Sequence, residues 1–339
     1  MAGQFRYVTP VEEQSATGRV AEVYAQLAED FGMARMAVFL TLSPSPEVLA
    51  ATWAMLRESL LAGDEPRAAK EVVALGVSMA NRCPFCVAAH TTLLHATGDH
   101  RLAETIAAGG TPADPRHAEL LTWAKSRRGT PEIGPEHIGT ALTFHFINRM
   151  ASSLLTENLL PANLQKSRLV RSVGGRAMAR VVRRRLSSGE SLPLVADLPT
   201  LPEPAWGAGT AVGTAYAALR AVAGTGGELL GESARAAVTD AVAAWDGEHP
   251  PIGNAWLDGP LADVLAGERP GARLALLAAL APYRVTDADV AAWRGSRTDE
   301  DLVRLCAFGA IAATERAETL ITTGRGEAFA AGALSGDRS

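Results

Sequence analysis

The sequence predicts an all-α fold, on three observations. Apolar residues recur at helical spacing in segment after segment, and no run alternates apolar with polar residues as a half-buried strand would. Prolines stand at the starts of several segments, where a missing N–H costs nothing, and glycines at their ends. The composition is 47% hydrophobic but only 5% aromatic, rich in the alanine and leucine that helices favour. Taken in order, the first predicted helix covers Ser15 to Phe31. Pro46 to Ala62 opens on its proline and closes at Gly63, and Pro66 to Ala80 ends at the break made by Asn81 and Arg82. Pro84 to Thr97 closes at Gly98 and Leu102 to Ala108 at Gly109; Pro115 to Ser126 and Pro135 to Leu155 again begin on proline.

A chain of 339 residues is long enough for two domains. The net charge of −5 gives no general attraction to nucleic acid or to anionic membranes. The N-terminal MAGQFRYVTPVEE lacks an apolar signal core, and the strongest apolar stretch, Ala272 to Ala281, is short and carries Arg273. A cytoplasmic protein is therefore expected, with no membrane or nucleic-acid partner. Three cysteines argue against a disulfide framework; Cys306, in the apolar run LVRLCAFGAIAA, reads as core.

The character changes after Pro161. Lys166, Arg168, Arg171, Arg176, Arg180, Arg183, Arg184 and Arg185 fall in one segment, and a proline-rich passage follows to Pro204. No aromatics interleave the arginines, so the segment reads as a solvated linker helix or a subunit contact rather than a nucleic-acid surface. The expected organisation is a first domain over 1–163, an Arg-rich then Pro-rich linker over 164–203, a second domain over 204–325 and a tail over 326–339. The second domain reads as a worn copy of the first. Aligning Arg67, Ala68 and Ala69 with Arg235, Ala236 and Ala237 places Thr239 opposite Glu71, Pro251 opposite Cys83, Asn254 opposite Cys86 and Asp258 opposite His90. Every chemical position is replaced. Arg149 falls opposite Arg316 at almost the same offset, and its survival in a copy without cysteines points to a structural role.

The chemistry of the chain is concentrated in EVVALGVSMANRCPFCVAAH, Glu71 to His90. On a helix starting at Pro84, advancing about 100° per residue, Cys83, Cys86 and His90 lie within an arc of roughly 60° and can face one pocket. Pro84 suits the first helical position, which makes Cys83 the N-cap, where the helix dipole favours thiolate. His90 lies one turn after Cys86, placed to take its proton directly or through a water, and Glu71 on the preceding helix can orient the imidazole. Other readings of the same residues are a zinc half-site, two packed core thiols and a structural disulfide. No second Cys pair follows and His95 points about 140° away from His90, which weakens zinc; a chain this large needs no disulfide staple.

The spacing of Glu71, Cys83, Cys86 and His90 resembles the motif of alkyl hydroperoxidase D (AhpD)-like proteins in the carboxymuconolactone decarboxylase superfamily. SPSPEVLAATWAMLRESLL before it and FHFINRMASSLL after it are similar to peroxidase-related members. The resemblance implies an AhpD-like helical bundle in two tandem pseudo-repeats, one live and one dead, and a homo-oligomer. It implies a peroxidase of the alkyl hydroperoxide reductase type, with Cys86 peroxidatic, Cys83 resolving, and His90 and Glu71 as proton relay. No resident cofactor or metal is expected; a hydroperoxide is the substrate and a lipoyl or thioredoxin-like protein the external dithiol reductant. AhpD carries a second histidine between its cysteines, where this chain has Phe85. His145 and Phe85 are candidates to support the site, and Phe144, Phe146 and Met150 suit either an apolar substrate wall or ordinary core. Three other functions compete: a thiol-disulfide oxidoreductase or redox sensor, a cysteine-independent lyase or isomerase like the carboxymuconolactone enzymes, and a non-enzymatic interaction protein suggested by the dead half.

Overall fold

The computed structural model describes residues 5–126, 133–156 and 168–335, with side chains described outside 168–172 and 323–335. Every regular element among them is helical, apart from two isolated β-bridges, Phe5 with Leu155 and Ala62 with Leu186. The predicted all-α class is therefore the observed one.

In α1 (Gly18–Phe31) Val20, Val23, Tyr24, Leu27 and Phe31 form one buried stripe at helical spacing. A short helix that the periodicity did not reveal, α2 (Ala37–Leu42), follows; six mostly apolar residues are too few to show a period. The segment opened by Pro46 is α3 (Pro46–Leu56), which widens into a π-turn at Arg57–Leu61. Next come α4 (Arg67–Ala80), α5 (Pro84–Thr97), α6 (His100–Ala107), α7 (Pro115–Ser126) and α8 (Pro135–Leu154). Pro66 is the N-cap of α4 rather than its first helical residue. Helix α6 begins before Leu102 because Asp99 caps it, accepting from Leu102 N at 2.9 Å. Gly63, Gly98 and Gly109 all have positive φ, the left-handed conformation that ends a helix most cheaply in glycine.

Helix α4 is the hub, packed on α5, α7 and α8, with Val72, Val73, Ala74, Leu75 and Val77 fully buried. That placement holds Glu71 and the start of α5 together.

The basic segment differs from a solvated connector. Residues Arg168–Val182 form α9, which lies along α5. The close approach depends on two glycines: a Cβ at Gly175 would stand 2.8 Å from His95 Cβ and 3.1 Å from Ala96 N, and one at Gly174 3.1 Å from Thr92 Cγ2. Arg183 then donates to Ala96 O at 3.0 Å, and Arg184 pairs with Asp30 at 2.8 Å. The passage after α9 is pinned in turn by a buried cluster. Arg57 donates to Asp30 at 2.6 Å and to Ser187 O at 3.0 Å, while Glu58 accepts from Gly189 N at 2.6 Å and Ser191 Oγ at 2.6 Å. The expected domain boundary at 163, Lys166, the side chains of Arg168 and Arg171, and those of the tail lie outside the described residues.

The second half comprises α10 (Ala211–Gly224), α11 (Glu232–Ala243), α12 (Asp258–Leu261), α13 (Arg269–Leu280), α14 (Asp287–Arg294) and α15 (Asp299–Ser335). It repeats much of the order of the first. The offset that aligns Arg67 with Arg235 also aligns the π-turn Arg57–Leu61 with a 3-10 turn at Thr225–Leu229, each following a core helix. Helices that this offset pairs pack on one another, α3 on α10 and α8 on α15. The correspondence of elements breaks opposite α5. Opposite α5 the chain makes an irregular loop, a 3-10 turn at Ala255–Leu257 and the single turn of α12, so Pro251 and Asn254 stand on no helix that could pair them. Cys306 is fully buried on α15, and burial pushes its thiol up to about 12, as a core cysteine requires.

Candidate active site

The junction of α4 and α5 builds the site. Helix α4 ends in a Schellman motif: Arg82 N donates to Met79 O at 3.1 Å and Cys83 N to Ser78 O at 3.0 Å, with Arg82 at φ 54. Glycine is the usual occupant of that position. Arg82 is the non-glycine residue with positive φ among the described residues, at a cost of about 1 kcal/mol. The tight stop delivers Cys83 as the N-cap of α5 with Pro84 at its first turn. The Cys83 sulfur makes no capping bond; instead Cys83 Sγ lies 3.0 Å from Cys86 Sγ, both as free thiols.

Behind the dithiol, His90 Nδ1 lies 2.7 Å from Glu71 Oε2, and Arg67 Nε donates to Glu71 Oε1 at 2.8 Å. Glu71 is fully buried. Burial alone would raise its carboxyl, but the charges and hydrogen bonds of Arg67 and His90 outweigh it and hold the group below the usual range. An ionised carboxylate can only accept, so the proton of the contact belongs to Nδ1 and leaves Nε2 as the basic nitrogen. The ring of Phe144 meets His90 edge-on at 4.3 Å and closes the pocket on that side. The Cys86 thiol is pushed well above the ordinary thiol range by its hydrogen bond with Cys83, by burial and by the charge of Cys83; a hydrogen bond with Asn148 acts in the opposite sense. His90 stands one turn beyond Cys86 on the same helix.

The structure thus brings together all four residues that the spacing singled out: Glu71, Cys83, Cys86 and His90. Phe85 lines the approach to the pair. His145 is fully buried one layer away, 3.3 Å from Asn81 Nδ2, with its carbonyl bound by Arg149 at 2.7 Å. Phe146 and Met150 are fully buried core and do not line the approach. Several neighbours of the site carry weaker signals in the sequence. Arg67 was readable as an i, i+4 partner of Glu71. Asn148 was signalled by its place in a continuous apolar helix; it accepts from Asn81 at 3.0 Å and donates to Ser78 at 3.1 Å, which fixes its amide beside Cys86. Arg6 and Tyr283 are far away in sequence and had no signal at all.

A cleft of about 250 Å³ opens on the dithiol from outside, walled by Arg6, Arg82, Cys83, Phe85, Leu155 and Tyr283 among others. Of the two cysteines, Cys83 is the one that lines it. Tyr283 comes from the second half, as do the groups that brace this corner: Ala279 O accepts from Arg149 Nε at 2.7 Å, and His249 Nε2 lies 2.8 Å from Ala80 O. Arg149, expected to be structural, is so placed, joining α8 to the end of α13. No group of three or more His, Cys, Asp or Glu among the described residues is arranged to hold a metal ion. No described helix is long and apolar enough to cross a membrane.

Comparison with known proteins agrees with this geometry. Residues 46–133, which contain the whole constellation, match the model of the carboxymuconolactone decarboxylase family. The chain is 40% identical over 329 residues, 93% of its own length and 94% of the relative's, to the alkyl hydroperoxide reductase Rv2159c of Mycobacterium tuberculosis. No solved structure matches it. An all-helical fold, the Glu71, Cys83, Cys86 and His90 constellation and this similarity along nearly the full chain have one reading: the chain belongs to the carboxymuconolactone decarboxylase family.

Proposed function

We propose that this chain is a thiol-dependent peroxidase of the alkyl hydroperoxide reductase type, as its Mycobacterium tuberculosis relative is named. The observation that carries the proposal is the paired thiols 3.0 Å apart, backed by a histidine that an ionised glutamate orients. In the reduced enzyme His90 Nε2 takes the Cys86 proton, and the thiolate attacks the distal oxygen of a hydroperoxide. The O–O bond breaks, and the proton on His90 passes to the departing alkoxide, giving an alcohol and a sulfenic acid on Cys86. Cys83 then attacks the Cys86 sulfur, forming the disulfide and releasing water. An external dithiol restores the pair by exchange, supplying two electrons. A lipoyl or thioredoxin-like protein suits that task, since Cys83 is the cysteine that lines the cleft. The need for such a reductant fits a cytoplasmic setting and an enzyme with no resident cofactor.

One observation favours a reversed assignment, with Cys83 attacking: the cleft opens on Cys83, at the N-cap of α5. Reduced protein mixed with one equivalent of an organic hydroperoxide tests both. Rapid peroxide loss with a sulfenate trapped in Cys83→Ser, and none in Cys86→Ser, supports Cys86; the opposite pattern supports Cys83. Persistence of peroxide over wild-type protein with titratable thiols overturns the peroxidase reading.

A further inference from the structure

The cleft in front of the dithiol is lined by two arginines. Its described lining includes Arg6 and Arg82 and no Asp or Glu. The two arginines differ. Arg6 is engaged: it donates to Val285 O at 2.9 Å and to the Tyr7 hydroxyl, and its guanidinium lies 3.8 Å from Asp287. Arg82 has no hydrogen bond or ion pair from its side chain among the described residues, and its neighbour in the chain is the reactive Cys83. A charged residue stands where a helix stop would be most stable as glycine, and the result is a guanidinium at the mouth of the site. The rest of the described lining is apolar or neutral and includes Phe85, Ala151, Leu155 and, from the second half, Tyr283. A guanidinium fork over an apolar slot is the chemistry that recognises a carboxylate on a hydrocarbon chain.

We infer that the preferred substrate is an organic hydroperoxide bearing a carboxylate, held by Arg82 at the mouth of the cleft with its apolar chain against Phe85 and Leu155. The inference rests on the peroxidase reading and adds the substrate class. The charge acts on binding and orientation, leaving the redox chemistry to the cysteines, so Arg82 is a specificity-determining residue. It also gives the second half a role, because Tyr283 completes the wall that the first half leaves open.

The test compares a medium-chain hydroperoxy acid with its methyl ester, on wild type and on Arg82→Gly, a variant chosen because glycine suits that backbone and should melt no lower than wild type. Wild type should prefer the acid by about tenfold in kcat/KM, and the preference should shrink to within about twofold in Arg82→Gly. Absence of a preference in wild type, or a loss in Arg82→Gly that falls equally on acid and ester, overturns the inference. A second readout does not need peroxidase activity: the ratio of the rates at which iodoacetate and iodoacetamide alkylate Cys83 in the reduced protein, followed by mass spectrometry. That ratio should fall several-fold in Arg82→Gly; an unchanged ratio overturns the inference. If neither hydroperoxide is consumed, the peroxidase reading fails by itself and the alkylation ratio still decides whether the cleft selects anions.

Discussion

His90 Nδ1 lies 2.7 Å from Glu71 Oε2, and this contact decides which imidazole nitrogen can serve the dithiol. With Glu71 ionised, Nε2 is the nitrogen left without the proton. Glu71→Gln keeps the shape but removes the ionised acceptor that holds the proton on Nδ1. Sulfenate formation in single-turnover mixing should fall about tenfold to a hundredfold, with the fold retained. An unchanged rate would remove Glu71 from the relay.

Stability should depend on His137. It is 1% exposed at the start of α8, with Glu65 3.8 Å away. Burial first, then the charges of Arg116 and Lys70, press its pKa from 6.5 to about 4. The unfolded chain takes a proton near 6.5 while the folded chain waits until about 4, so unfolding binds a proton between those values and stability falls as pH drops through that window. The contribution is complete above the upper value. Denaturant unfolding at pH about 7.5 and about 5 should show wild type losing about 2 kcal/mol more than His137→Gln. Parallel losses in the two proteins would show that His137 does not titrate in this way.

Arg149 ties the site to the second half. It is buried, bonded to Ala279 O and His145 O, and lies 5.3 Å from the ring centre of Trp245. Arg149→Met leaves those carbonyls in a dry environment and should cost about 3 kcal/mol in unfolding free energy. Retention of the wild-type denaturation midpoint would argue that water replaces the guanidinium.

The crossing of α9 on α5 predicts a sharp difference between two glycines. Gly175→Ala drives a methyl into His95 and the backbone of Ala96 and should destabilise by about 2 kcal/mol. Gly224→Ala, with nothing within 4 Å, should be neutral or slightly stabilising. Equal tolerance at both would mean that the helices do not approach so closely.

The particulars show what could be read from the chain and why. Pro84, Gly98 and the Cys83, Cys86 and His90 spacing act through local geometry, so helix α5 and the shared face of its three reactive side chains were legible one residue at a time. Helix α2 was not, because six residues carry no period. The role of Asn148 was signalled only by its polarity within an apolar helix; its partner, Cys86, was not written beside it.

By itself the sequence determined the helical class, the ends of most helices, the four residues of the constellation and the replacement of their counterparts in the second half. Each of these follows from interactions within a turn or two of the chain. Only the tertiary structure decided that the arginine-rich segment packs along α5, that Asn148 sits beside Cys86, and that Arg6, Arg82 and Tyr283 share one cleft. Those contacts join residues as many as 277 positions apart (6 to 283). Their closeness depends on how the helices pack together, which no local pattern encodes.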